Sequence, residues 1–103
     1  MRYKLVRTDK ANDQLFDIVQ FIAGDSHSIS AALDYLSLLE KAINSLQRFP
    51  KKGVIPRYSI LKRQGYRVLI VEQHLVFYKI NEYKKEVCIY AILDGRREYA
   101  KLL

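Results

Sequence analysis

Residues 30–56, SAALDYLSLLEKAINSLQRFPKKGVIP, change their hydrophobic period part-way through, and the change separates a helical half of the chain from a strand-rich one. Ala32, Leu36, Leu39, Ile43 and Leu46 alternate four and three residues apart, which stacks them on one face of a helix capped by Ser28 or Ser30. At Phe49 and Pro50 the helical period stops. Lys51, Lys52, Gly53 and Pro56 then mark a basic loop, and the residues beyond it are strand-like.

On the N-terminal side, Ala11, Leu15, Ile18, Val19 and Ile22 repeat the helical spacing, with Thr8 or Asp9 as the cap and Gly24 as the expected stop. The short link between the two helices predicts an antiparallel hairpin. Before it, Arg2 to Arg7 mixes polar and apolar side chains as a half-buried strand does. Beyond the loop, Tyr66 to Val71, Leu75 to Ile80 and Val87 to Leu93 are rich in β-branched and aromatic residues. The polar stretches Glu72 to His74 and Asn81 to Lys85 suit tight connections. The expected fold is α+β: an N-terminal strand, the helical hairpin, then a C-terminal antiparallel sheet of three or more strands packed on the helices. At 103 residues, one domain spanning 1–103 is expected.

Charge is unevenly placed. The net +7 comes from the middle of the chain, where Lys41 to Val71 holds eight basic residues and no carboxylate. Such a one-sign segment attracts polyanions and acidic proteins. No apolar run approaches the ~20 residues of a membrane helix, so a cytoplasmic protein without a membrane partner is expected. The single Cys88 lies in an apolar run and reads as a small buried hydrophobe.

Several chemistries find no support. One Cys and two His, His27 and His74, lack the paired spacing of a zinc site, and the four glycines form no phosphate-binding loop. Neither a metal nor any other cofactor is expected. The side chains left for chemistry are Arg67, Arg96, Arg97, Tyr99, Tyr78 and His74, with Lys62 and Arg63 beside them. Cleaving RNA through its own 2′-hydroxyl needs a base, a cation at the phosphorane and an acid, and arginine suits the second role. Taken singly, Tyr78 reads as core and His74 as an exposed turn residue.

Together these stretches resemble the RelE/ParE toxins of bacterial type II toxin–antitoxin pairs. The residues that carry the resemblance are Asp17 to Ile22, the helix closing on Leu46, Phe49, Pro50 and Gly53, then Gly65, Tyr66 and Arg67, Leu75 to Tyr78, and Asp94 to Tyr99. It implies a growth-inhibiting protein neutralised by a cognate antitoxin. The family divides into members that cleave mRNA on the ribosome and members that inhibit DNA gyrase. On the RNA-cleaving side, the resemblance implies Arg67 and Arg97 at the phosphate and Tyr99 as candidate acid, with Lys51, Lys52, Lys62, Arg63 and Arg96 holding nucleic acid. Two departures stand against that set. The paired lysines of that branch fall near Tyr58 and Ile60 here, and Tyr99 lies closer to Arg97 than the branch's late tyrosine does. The long hairpin and the Phe49, Pro50, Gly53 ending look more like ParE. The sequence puts RNA cleavage slightly ahead of non-catalytic gyrase inhibition.

The charge map predicts how binding depends on salt. An acidic, disordered antitoxin segment is steered by the Lys41 to Val71 stretch, while apolar anchors supply most of the affinity. Stopped-flow association should therefore slow markedly as salt rises, with dissociation little changed. Association that ignores salt, or that survives reversal of Lys51, Lys52 and Lys62 to Glu, would contradict the steering role.

Overall fold

The computed structural model describes residues 2–95. Strand β1 (Lys4–Arg7) leads into helix α1 (Asp9–Ser26), which turns back as α2 (Ile29–Asn44). Two single 3-10 turns, Ser45–Gln47 and Pro50–Lys52, carry the chain to a short helix α3 (Ser59–Arg63). Strands β2 (Arg67–Val71), β3 (His74–Asn81) and β4 (Glu86–Asp94) complete the described chain. The sheet order is β1-β4-β3-β2. Three strands form the expected antiparallel meander, and β1 adds a parallel edge, with Leu5 opposite Val87 and Val6 opposite Cys88. The sheet is therefore mixed.

Caps set the helix starts. Thr8 Oγ1 accepts from the Ala11 N–H at 3.1 Å and donates to the Tyr90 carbonyl at 3.1 Å, so one hydroxyl both starts α1 and ties it to β4. Ser28 caps α2 through the Ala31 N–H at 3.1 Å. The stop expected at Gly24 is not used. Helix α1 runs to Ser26, and His27, at φ 55°, makes the left-handed turn. With the helical repeat carried on by Asp25 and Ser26, Gly24 is an interior residue.

The hairpin covers one sheet face. Leu15 of α1 and Leu39, Ile43 and Leu46 from the second helix and its end are buried with Leu69, Val71, Val76, Tyr78, Val87 and Ile89. The opposite face holds a smaller cluster of Leu61, Val68, Phe77, Ala91 and Leu93. Leu61 belongs to α3, so a short helix stands beyond the basic loop, where strand-like chain was expected, and it covers the second face. A register shift between Phe77 and Tyr78 opposes those residues to Ala91 and Ile89, leaving Tyr90 as the extra residue of a bulge. Ile89 and Ile92, three apart, thereby join the same core. Cys88 is half-buried, not fully buried, and its partial burial raises the thiol's pKa.

Tyr78 is fully buried, as its strand position predicts, but it is not simply apolar filling. Its hydroxyl donates to the Pro50 carbonyl at 2.6 Å and accepts from the Gly53 N–H at 2.9 Å. A Cβ added to Gly53 would lie 2.6 Å from that hydroxyl and 2.8 Å from the Val68 carbonyl, so no side chain fits there. Tyr78→Phe strands the buried Gly53 N–H and the part-buried Pro50 carbonyl. We expect a loss of roughly 1–3 kcal/mol in denaturant unfolding, against near-zero cost for an exposed control such as Tyr83→Phe.

Candidate functional site

The chain between α2 and α3 is held from beneath. Besides the two bonds of Tyr78, Arg67 Nη2 donates to the carbonyls of Lys51 at 3.0 Å and Gly53 at 2.8 Å. Val54 then exchanges both backbone bonds with Val68, at 2.8 and 2.9 Å. Arg67 stands opposite Tyr78 in the β2–β3 ladder, so both reach the same loop from neighbouring strands. Its Nε is buried without a hydrogen-bond partner among the described residues.

Gly65 explains how Arg67 comes to point there. At φ 87° it ends α3, with its N–H on the Lys62 carbonyl and the Tyr66 N–H on the Leu61 carbonyl, both at 3.1 Å. Tyr66, just before β2, and Arg67, its first residue, then lie on opposite faces. Tyr66 packs edge-on against Phe77 and Tyr90, with Lys79 Nζ 4.6 Å from its ring centre. Arg67 goes to the loop.

The loop's side chains point outward. Phe49 is 62% exposed, and Lys51 and Lys52 are exposed beside it. Lys52 Nζ reaches Ser45 Oγ at 3.2 Å, and Lys51 Nζ lies 3.9 Å from a Glu82 carboxylate oxygen. Tyr3, Phe49, Pro50, Lys51, Lys52 and Glu82 together line a shallow cleft of about 720 Å³. The Tyr3 hydroxyl donates to Glu82, while Lys85 Nζ sits 5.5 Å from the Tyr3 ring centre. The Tyr3 bond holds the Glu82 carboxyl below its ordinary value, helped by Lys85 and Lys51, and the same bond raises the Tyr3 phenol.

The other predicted residues scatter. Lys62 and Arg63 lie on α3, at the second sheet face, apart from the Arg67 contacts. Arg96, Arg97 and Tyr99 fall outside the described residues. His74 is not an exposed turn residue. It starts β3, is 5% exposed, and its Nδ1 sits 2.6 Å from the Tyr35 hydroxyl. Burial results from the two-residue turn at Glu72 and Gln73, which puts His74 inside the ladder opposite Val71. It borders a second groove, about 510 Å³, with Ile18, Phe21, Ile22 and the carboxylates of Asp17, Asp25 and Asp94. Among the described residues no three His, Cys, Asp or Glu side chains cluster as metal ligands, and no helix is long and apolar enough to cross a membrane.

Sequence reasoning missed the loop's anchoring. Its signals were present: a glycine three residues after Pro50, and a tyrosine and an arginine facing each other across a hairpin.

A family model described as "ParE toxin of type II toxin-antitoxin system, parDE" matches residues 5–99, which takes in the hairpin, the anchored loop and all of the sheet but Lys4. The chain belongs to the ParE toxin family. It is thus the toxin of a type II toxin–antitoxin system. No curated protein matches the chain. Among solved structures, this ParE-family toxin is similar to the chromosomal ParDE system of P. aeruginosa, at TM-score 0.72 and 20% identity, covering 88% of this chain and 94% of that one. It is also similar to the RelBE2 toxin–antitoxin complex of Mycobacterium tuberculosis, at TM-score 0.61 and 18% identity, covering 91% and 92%. At these identities the two structures bear on the fold alone.

The acid–base pair at the cleft yields a measurable outcome. A carboxyl whose folded pKa is lowered stabilises the fold above its unfolded pKa and loses that contribution as pH falls through the folded one. The NMR titration midpoint of Glu82 should fall below the ordinary 4.5 and move back up toward it in Tyr3→Phe. An unmoved midpoint would show that the phenol does not hold the carboxylate in solution.

Proposed function

We propose that this ParE-family toxin arrests growth by binding its target without catalysis, and that the target is DNA gyrase, as the ParE side of the resemblance implies. The observation that carries this reading is the engagement of Arg67. A phosphate-stabilising arginine has to offer its planar fork to the substrate. Here Nη2 is bonded to two backbone carbonyls, and breaking those bonds would leave the loop held by Tyr78 and the Val54–Val68 pair alone. The segment that the RNA-cleaving branch fills with a lysine-bearing strand is helix α3 here, with Tyr58 as its cap and Ile60 exposed. Lys62 and Arg63 stand on this helix and not on a strand beside Arg67.

The second partner is a cognate antitoxin, as for any type II toxin. Its acidic segment would be steered by the carboxylate-free stretch between Lys41 and Val71. The groove beside α1, with Ile18, Phe21 and Ile22 on one wall, offers apolar anchoring for an amphipathic helix.

Two assays on the same protein decide the mechanism. Purified toxin should inhibit supercoiling by gyrase or trap its cleavage complex, and primer extension after induction should find transcripts intact. Codon-linked cuts with undisturbed supercoiling would overturn the proposal in favour of ribosome-dependent cleavage. Arg67→Ala separates the roles further. A structural arginine loses growth arrest in step with folding stability, recovered at lower temperature, whereas a transition-state contact costs on the order of 10²–10³ in rate with the fold intact.

A further inference from the structure

The loop at Phe49 to Gly53 is unusual in how its two sides are treated. Inward, four hydrogen bonds with Tyr78 and Arg67 fix its backbone, and Gly53 has no room for a side chain. Outward, Phe49 stands 62% exposed with Lys51 and Lys52 exposed beside it, and the neighbouring β3–β4 turn adds Tyr83, 98% exposed, and Lys85. None of these outward side chains belongs to either core cluster. A large aromatic residue held in water on a rigid backbone contributes little to stability. It is the arrangement of a binding anchor: an apolar centre in a positive rim, ordered before any partner arrives.

We infer that this loop is the toxin's contact with its growth target, and that it fits an acidic-rimmed apolar pocket on a folded protein. The inference rests on the binding mode proposed above. Charge complementarity sets the chemistry of the occupant, since Lys51, Lys52 and Lys85 have only Glu82 among them and no carboxylate occurs from Lys41 to Val71. Rigidity sets its source. A toxin without catalysis acts as the free chain, so its target surface has to be complete in that chain, as this loop is. The antitoxin's segment folds on binding and is better matched by the separate groove beside α1, where Ile18, Phe21 and Ile22 offer apolar anchors next to Asp17, Asp25 and Asp94. A second copy of this chain would bring the same positive rim and be repelled.

Two variants test the assignment, Phe49→Ser and the double reversal Lys51→Glu with Lys52→Glu. Both change exposed side chains and leave the backbone bonds in place, so circular dichroism and thermal unfolding should match wild type. We expect each to require roughly tenfold or more inducer for growth arrest, and the same rise in the concentration that inhibits purified gyrase. The dissociation rate of the antitoxin complex should stay within about twofold, since rim charges act mainly on association. Undiminished growth arrest by either variant would overturn the inference. So would a tenfold faster antitoxin release from Phe49→Ser, which would make Phe49 an antitoxin anchor, or a selective loss of binding to a duplex DNA oligonucleotide with arrest intact. If wild-type toxin leaves gyrase untouched, the choice of target fails, and the growth readout still judges the loop.

Discussion

One phenol hydroxyl buried in the core organises this molecule. Tyr78 sits at the middle of the sheet with no exposure, and an unpartnered hydroxyl there would cost about 1–3 kcal/mol. The core offers it no partner, so the chain supplies two from outside the sheet, the Pro50 carbonyl and the Gly53 N–H. That requirement draws the loop after α2 down onto the sheet edge and leaves no space for a side chain at residue 53. Arg67, directly opposite Tyr78 in the ladder, finds its acceptors in the same loop. The end of the helical hairpin, the edge of the sheet and the basic loop are thereby joined at one point.

This constraint also separates the two sheet faces by task. The face under the hairpin is the larger core, and the loop closes its rim. The face under α3 is thinner, with Tyr66 edge-on to Phe77 and Tyr90 and Lys79 over the rings of Tyr66 and Tyr90. Gly65 marks the point where the chain commits Tyr66 to one side and Arg67 to the other. Bonded to the main-chain carbonyls of Lys51 and Gly53, that arginine ties β2 to the loop.

Much of the architecture was legible in the sequence, because helical and strand periods are local signals. The apolar stripes of both long helices, the three C-terminal strands and the core position of Tyr78 can be read from spacing, and the caps narrow to Thr8 or Asp9 and to Ser28 or Ser30, of which Thr8 and Ser28 are used. What escaped was non-local. The parallel pairing of β1 with β4 joins strands from opposite ends of the described chain and leaves no mark in either. His74 read as a turn residue because a one-residue difference in turn length decides whether it is outside or inside the ladder. Helix α3 covers only five residues, too few for its period to be seen. At the candidate site, the residue types were visible but their partners were not, since an arginine beside a Gly-Tyr pair looks the same in sequence whether it faces a phosphate or a carbonyl.

Four side-chain hydrogen bonds tie the loop to the sheet beneath it, and the Gly53 amide is the probe that reports on them most directly. Its N–H donates to a fully buried hydroxyl, so native-state hydrogen exchange should show it opening only with a large fraction of the global unfolding free energy. Removing Arg67 should weaken that protection without abolishing it, because the Tyr78 bond remains. A Gly53 amide that exchanges at the rate of a free loop would contradict this anchoring, and Arg67 would then be open to a substrate.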